Sequence, residues 1–263
     1  MFDWTAAGCA LAAMSALSTG TWLLSLAKRD VSIIDSMWSL FLLAGALVYS
    51  FLGEAAGLRR SLVLGLVCLW AVRLCIYLTW RNWGQPEDRR YQAIRQRNEP
   101  GFEIKSLIYV FALQAVLAWI VSWPLLPAVA SGSGLNWLDI AGILLFTVGL
   151  VFETVADWQM ARFRADPDAH GRVLDRGLWR YSRHPNYFGE CLVWWGFFGV
   201  ALGAGAPLWT VVSPMLMTLL LLKISGVPLL ERDLTERKPA YQAYASRTSA
   251  FLPWPPCSAS VER

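Results

Sequence analysis

A chain of 263 residues with 56% hydrophobic and only 16% charged positions, a mean hydropathy of +0.42 and a formal net charge of +4 has the balance of a protein solvated largely by lipid. Ordinary globular proteins carry about a quarter charged residues, so this composition excludes a soluble domain, and with it disorder, collagen and coiled coil. The five cysteines, Cys9, Cys68, Cys75, Cys191 and Cys257, form no CxxC and have no histidine at metal spacing, which leaves neither a disulfide framework nor a metal site.

A membrane helix needs about 20 mainly apolar residues to cross about 30 Å of hydrocarbon. In chain order, the apolar runs 4–27, 32–52, 61–80, 106–129, 137–159, 187–202 and 207–229 predict seven transmembrane helices. The first carries Asp3 and no basic residue ahead of its apolar run, and is too long for a signal-peptide core, so it reads as a true span. Backbone groups in lipid must be paired within their own segment, and the alternation of a barrel strand is absent. The expectation is one all-α integral membrane domain over residues 1–263.

Basic residues assign the topology, because Lys and Arg gather in cytoplasmic loops. With the amino terminus outside and the carboxyl terminus in the cytoplasm, the inside segments hold 19 of the 23 basic residues. Only Arg59 and Arg60 fall outside, while Arg73 and Lys223 lie within spans. This asymmetry accounts for the net charge and removes any case for a nucleic-acid partner.

Two inside loops are longer than a helix connection needs, a common mark of function. One runs from Arg81 through Arg89, Arg90, Tyr91, Arg95 and Arg97 to Lys105; the other from Arg162 through Arg164, Asp166, His170, Arg172, Asp175, Arg176 and Arg180 to Tyr187. Guanidinium groups interleaved with aromatic rings suit a nucleotide, since Arg pairs with phosphate oxygens and rings stack on bases. The competing reading of the first loop, as topology determinants and headgroup contacts, takes precedence there. Ionisable residues in or near spans are costly and normally face a partner in the bundle interior. Asp35, Arg73, Glu153, Asp157, Glu190 and Lys223 are of this kind. Glu153 and Asp157, four apart, share one helical face. Asn186 and Glu190, also four apart, open the sixth span. Structural salt bridges are the alternative for any one of them; six together favour a polar cavity.

The stretch Leu174-Asp-Arg-Gly-Leu-Trp-Arg-Tyr-Ser-Arg-His-Pro-Asn-Tyr-Phe-Gly-Glu190 resembles the signature of the membrane steroid 5-alpha-reductases and sterol reductases and their bacterial relatives. The likeness extends from about Ser32 to Pro255 and is strongest after Gly149. It implies NADPH as cofactor, held by Glu153, Asp157, Arg164, Arg172, Leu174, Trp179, Arg183, His184, Asn186, Tyr187, Glu190, Asp233 and Tyr244, with Arg164 and Arg172 first choices for the 2'-phosphate. It further implies that residues of about 1–130 enclose a hydrophobic substrate entering from lipid, that about 137–256 hold the nucleotide, and that the cofactor side is the cytoplasmic face of a bacterial inner-type membrane. No obligate protein partner is expected; lipids are the surroundings.

The reaction so implied is conjugate reduction of an enone lipid, above all a 3-oxo-delta-4 steroid, in which charge builds on the carbonyl oxygen. A donor aimed at that oxygen is then required. Asp35 is the candidate, as a neutral acid, with Arg73 to position it and Tyr77 or Tyr91 as alternative donors. The sequence departs from the animal reductases by Asp35-Ser36 where they carry a Gln-Glu pair and Trp70 where they carry a catalytic Tyr. A helix-capping or ion-pairing role for Asp35, facing Lys28 or Arg29, is the other reading. A related Arg-His-Pro-x-Tyr-x-Gly pattern also occurs in isoprenylcysteine carboxyl and phospholipid methyltransferases, so an S-adenosylmethionine-dependent lipid methyltransferase is the alternative function.

Overall fold

The computed structural model describes residues 2–53, 57–169, 171–224, 227, 231 and 239–256. Among these, every regular element is helical. The helices are α1 (Trp4–Lys28), α2 (Ile33–Leu52), α3 (Leu58–Asn82), α4 (Arg89–Asn98), α5 (Phe102–Ser122), α6 (Leu125–Ala130), α7 (Trp137–Ala165), α8 (Pro185–Gly203), α9 (Leu208–Ile224) and α10 (Pro239–Arg247). Within α5 the segment Leu107–Ala112 is a π turn.

Five of them, α1, α2, α3, α5 and α7, are long and apolar enough to cross a membrane. The sixth expected span is the 19-residue α8, whose apolar character is diluted by Pro185, Asn186 and Glu190. The seventh is α9, which runs 17 residues as far as Ile224. The fourth expected span, 106–129, is divided: Pro124 cannot donate to a helix interior, so α5 ends at Ser122 and α6 begins at Leu125.

Two compact units divide the chain: residues 1–141 with 197–213, and residues 142–196 with 214–263. In the first, α2 packs against α1, α3, α5 and α6, and α1 against α5. Met14, Ile34, Phe41, Leu42, Tyr49, Val67, Trp70 and Phe111 make its core. In lipid the driving force between helices is close packing and polar bridging. Accordingly Ser18 Oγ donates to Phe111 O at 2.8 Å, Ser39 Oγ to Ala71 O at 2.8 Å, and the Tyr49 and Ser122 hydroxyls meet at 2.8 Å. A fully buried ion pair fastens one end of this unit. Arg59 donates from Nε and Nη2 to the two oxygens of Asp139 at 2.7 and 2.8 Å, and its remaining donors reach Ser131, Ser133, Gly134 and Gly203. Arg59, expected in an outside loop, is therefore a core residue.

The second unit is organised by the antiparallel meeting of α7 and α8 at glycines. A Cβ at Gly189 would stand 2.6 Å from Glu153 N and Gly149 O, and one at Gly149 would stand 2.6 Å from Gly189 O. Only glycine permits that approach, and it sets Glu153 and Asp157 of α7 beside the first turns of α8. Beyond α7, Leu174 and Trp179 are buried with Ala156 and pack on Met160, Phe163 and Leu178.

Candidate functional site

In the first unit the chemistry collects around Asp35, in the opening turn of α2. Arg90 Nη2 donates to Asp35 Oδ2 at 2.6 Å, Tyr91 Oη donates to Asp35 Oδ1 at 2.6 Å, and Gln114 Nε2 donates to Tyr91 Oη at 3.2 Å. The sequence explains the placement of α4: Asp88 caps it by accepting from Arg90 N at 2.9 Å, which presents Arg90 and Tyr91 together on the first turn. Asp88 is also paired with Arg90 Nε at 3.0 Å. Burial pushes the Asp88 carboxyl up, but Arg90 more than offsets this and holds it below the usual carboxylate range. Burial, with the Asp35 charge, drives the Tyr91 hydroxyl well above the ordinary tyrosine value, so it stays protonated as a donor.

Both Asp35 oxygens are thus taken as acceptors. In this arrangement Tyr91, one of the alternative donors, is the hydroxyl that donates to Asp35. Asp35 pairs with Arg90 rather than with Lys28 or Arg29; Lys28 lies over the Trp83 ring at 5.8 Å. Arg73 and Tyr77 lie on α3, where Tyr77 stands under Arg81 at 5.8 Å and beside Trp80. Arg90 and Gln114 are the residues that sequence reasoning missed. Arg90 was visible only as one of four loop arginines, and a partner 55 residues away in sequence leaves no local trace.

In the second unit Glu153, Asp157 and Glu190 are all buried. Asn186 Nδ2 donates to Asp157 Oδ1 at 3.4 Å, and Trp194 Nε1 donates to Glu190 Oε1 at 3.2 Å. The Asn186 contact is long for a hydrogen bond, so its amide keeps donor and acceptor capacity for another partner. Arg164 and Arg172 are exposed. Trp179 Nε1 donates to Ala156 O at 3.1 Å and, with Leu174, forms the packed wall of the loop.

The Arg-His-Pro-Asn motif is tied to the carboxy-terminal segment. Arg183 donates from Nε and Nη2 to Glu231 at 2.8 and 3.1 Å, and from Nη1 to the carbonyls of Ala245 and Thr248. His184 Nε2 meets Glu231 Oε1 at 3.0 Å, and the His184 ring stacks on Tyr187 with centroids 5.4 Å apart. Tyr244 Oη donates to the carbonyls of Trp179 and Ser182 at 2.5 and 3.3 Å. Arg183, His184 and Tyr244 are therefore engaged in holding the motif's shape, with their polar atoms on protein partners. Glu231 is the residue that makes this clamp. Burial raises its carboxyl pKa, but the hydrogen bond from His184 and the Arg183 charge outweigh that and bring it below the usual value. Asp233 lies outside the described residues.

Against known proteins, a family model described as "Protein of unknown function (DUF1295)" matches residues 21–248. The uncharacterized protein C594.04c of Schizosaccharomyces pombe is 26% identical over 261 residues, covering 88% of this chain and 75% of that protein. The steroid 5-alpha-reductase DET2 of Gossypium hirsutum is 33% identical over 61 residues, covering 23% of this chain and 24% of that protein. No solved structure matches the chain. The short reductase match is a distant likeness, whereas the family model spans most of the chain: it belongs to the DUF1295 family.

Proposed function

We propose that this protein is an integral membrane reductase that uses NADPH to saturate the carbon-carbon double bond of an enone lipid, with a 3-oxo-delta-4 steroid as the first substrate class to test. The observation that carries the reading is the set of buried carboxyl groups Glu153, Asp157 and Glu190, with the half-buried Asn186 against Asp157, on the glycine-packed faces of α7 and α8. The likeness to a steroid 5-alpha-reductase supports it.

The residues present fit the cofactor. Asn186 has amide capacity to spare, the neighbouring carboxylates can accept from ribose hydroxyls, and the exposed Arg164 and Arg172 can pair with phosphates. Leu174, Trp179 and Tyr187 would shape the wall, while Arg183, His184 and Tyr244 would brace the motif from behind. When bound, NADPH supplies the hydride for the β carbon of the enone.

The chain's own work is to hold the substrate oxygen and feed it a hydrogen bond. Tyr91, kept protonated, turns its proton from Asp35 to that oxygen, and Asp35, fixed by Arg90, keeps the hydroxyl in line. Seven spans, with the amino terminus outside and the carboxyl terminus in the cytoplasm, belong to the same proposal. They put the arginine loops on the cytoplasmic side of an inner-type membrane, where the dinucleotide is available. The test is an assay of purified protein with NADPH and enone steroids, following absorbance and product mass. Saturated ketone from wild type but not from Tyr91→Phe is expected; methyl transfer from S-adenosylmethionine with no reduction would replace the reading by the methyltransferase one.

A further inference from the structure

A recess lies on the far side of α7 from the carboxylates. Nine residues at 3.6 per turn set Arg162 about 180° round the helix from Glu153. Here α7 and the following loop form an open recess of about 300 Å³ lined by Trp158, Gln159, Arg162, Phe163, Leu174, Arg176 and Gly177. Its wall is built. Gln159 Oε1 accepts from Leu178 N at 3.0 Å, and a Cβ at Gly177, where φ is +62°, would stand 2.5 Å from the Gln159 amide. The loop therefore needs glycine at that point to close on α7.

The charge in this recess is one-sided. The Arg162 guanidinium lies over the Trp158 ring at 5.6 Å. Among the described residues, neither Arg162 nor Arg176 has a carboxylate partner, and Asp175, the acid adjoining Arg176, is taken by Arg247 at 2.5 Å. Two guanidiniums facing a cleft call for an anion with several oxygens, and phosphate matches their geometry. Besides Gln159, which is engaged by Leu178 N, and Gly177, the rest of the lining is apolar: Trp158, Phe163 and Leu174. The apolar stretch of α7 gives out at Trp158, after which Gln159, Arg162, Arg164 and Asp166 follow. An exposed Trp followed by Arg marks the level where hydrocarbon yields to headgroups.

We infer that this recess is a binding site for one anionic phospholipid, its phosphodiester between Arg162 and Arg176 and its glycerol and first acyl carbons on Trp158, Phe163 and Leu174. The site shares only Leu174 with the wall proposed above for the nucleotide, and neither of its arginines is among the residues assigned there to NADPH.

Native mass spectrometry of the full chain in detergent, titrated with phosphatidylglycerol or phosphatidylcholine, tests it. One phosphatidylglycerol per chain should be retained. Arg162→Ala with Arg176→Ala should lower that retention at least tenfold, and Arg97→Ala, on the exposed side of α4, should leave it unchanged. Inorganic phosphate should fail to displace the lipid, because the apolar lining contributes, and NADPH affinity in the double variant should equal wild type. Equal retention of phosphatidylcholine, or unchanged retention in the double variant, would overturn the site. Displacement by inorganic phosphate would reassign it to a free phosphate, and displacement by NADPH to the nucleotide. Both arginines are exposed, so their loss should not disturb folding; an unchanged thermal transition checks this.

Discussion

At the scale of single residues, the proposed reaction depends on which group donates to the substrate oxygen. Asp35 accepts from Arg90 and Tyr91 at 2.6 Å each, and the buried Tyr91 holds its proton above the ordinary tyrosine range. Tyr91→Phe should therefore lower kcat by roughly 10²–10³, the cost of one lost donor to an oxyanion, without changing the Kd for NADPH. Asp35→Asn should lose less, since an amide oxygen still accepts from Tyr91. The raised pKa also fixes the pH dependence: the hydroxyl is functional below its folded value, so the rate should show no tyrosine-type decline as pH rises to about 10. A fall in rate centred near pH 8, measured at saturating NADPH, would place the donor elsewhere. Glu231 has the opposite sign. Its folded pKa is depressed, so its contribution to stability is present above about 4.3 and is lost as pH falls through the lower folded value. Limited proteolysis should cut the segment 239–256 increasingly below about pH 4, and Glu231→Gln should be cut already at neutral pH.

At the scale of elements, two contacts decide whether the helices meet correctly. Valine at Gly189 would drive its side chain into Glu153 N and Gly149 O, so Gly189→Val should cost about 1–3 kcal/mol and separate Glu153 from α8. The readout is a lowered thermal transition in detergent together with lost nucleotide binding. Arg59→Met leaves Asp139 buried and unpaired, which should cost about 3–5 kcal/mol; adding Asp139→Leu should restore much of it. Much of this level was legible in the sequence. Hydrophobic length alone locates α1, α2 and α3 to within a few residues, because lipid leaves a helix no alternative; α7 starts where expected but runs six residues past 159, to Ala165, on polar residues that hydropathy does not see. The break at Pro124 was carried by a visible proline but passed over inside a long apolar run. The Arg59–Asp139 pair was not legible: 80 residues separate the partners, and each looks like an ordinary helix-end charge. The same holds for the Asp35, Arg90 and Tyr91 group, of which the sequence named two members but not the bond between them. Arg183 and His184 lay in the most recognisable motif, yet the motif gave no sign that Glu231 engages them.

At the scale of the whole molecule, the apolar helices are those of a membrane protein of the DUF1295 family, and its distant likeness to a steroid 5-alpha-reductase suggests a membrane oxidoreductase. All the arginines but Arg59, Arg60 and Arg73 fall on one side of the proposed topology, and the ligand classes suggested by the two faces of α7, a dinucleotide and a lipid phosphate, are both anionic. The most direct measurement is binding of NADPH, NADH and S-adenosylmethionine to the full chain in detergent by isothermal titration, with Asn186→Ala and Arg164→Ala alongside. The account predicts that NADPH binds, that NADH binds at least tenfold more weakly, and that both variants lose most of the NADPH affinity while keeping the wild-type thermal transition. Binding of S-adenosylmethionine alone, lost in Asn186→Ala, would contradict the reductase and transfer the same residues to methyl transfer.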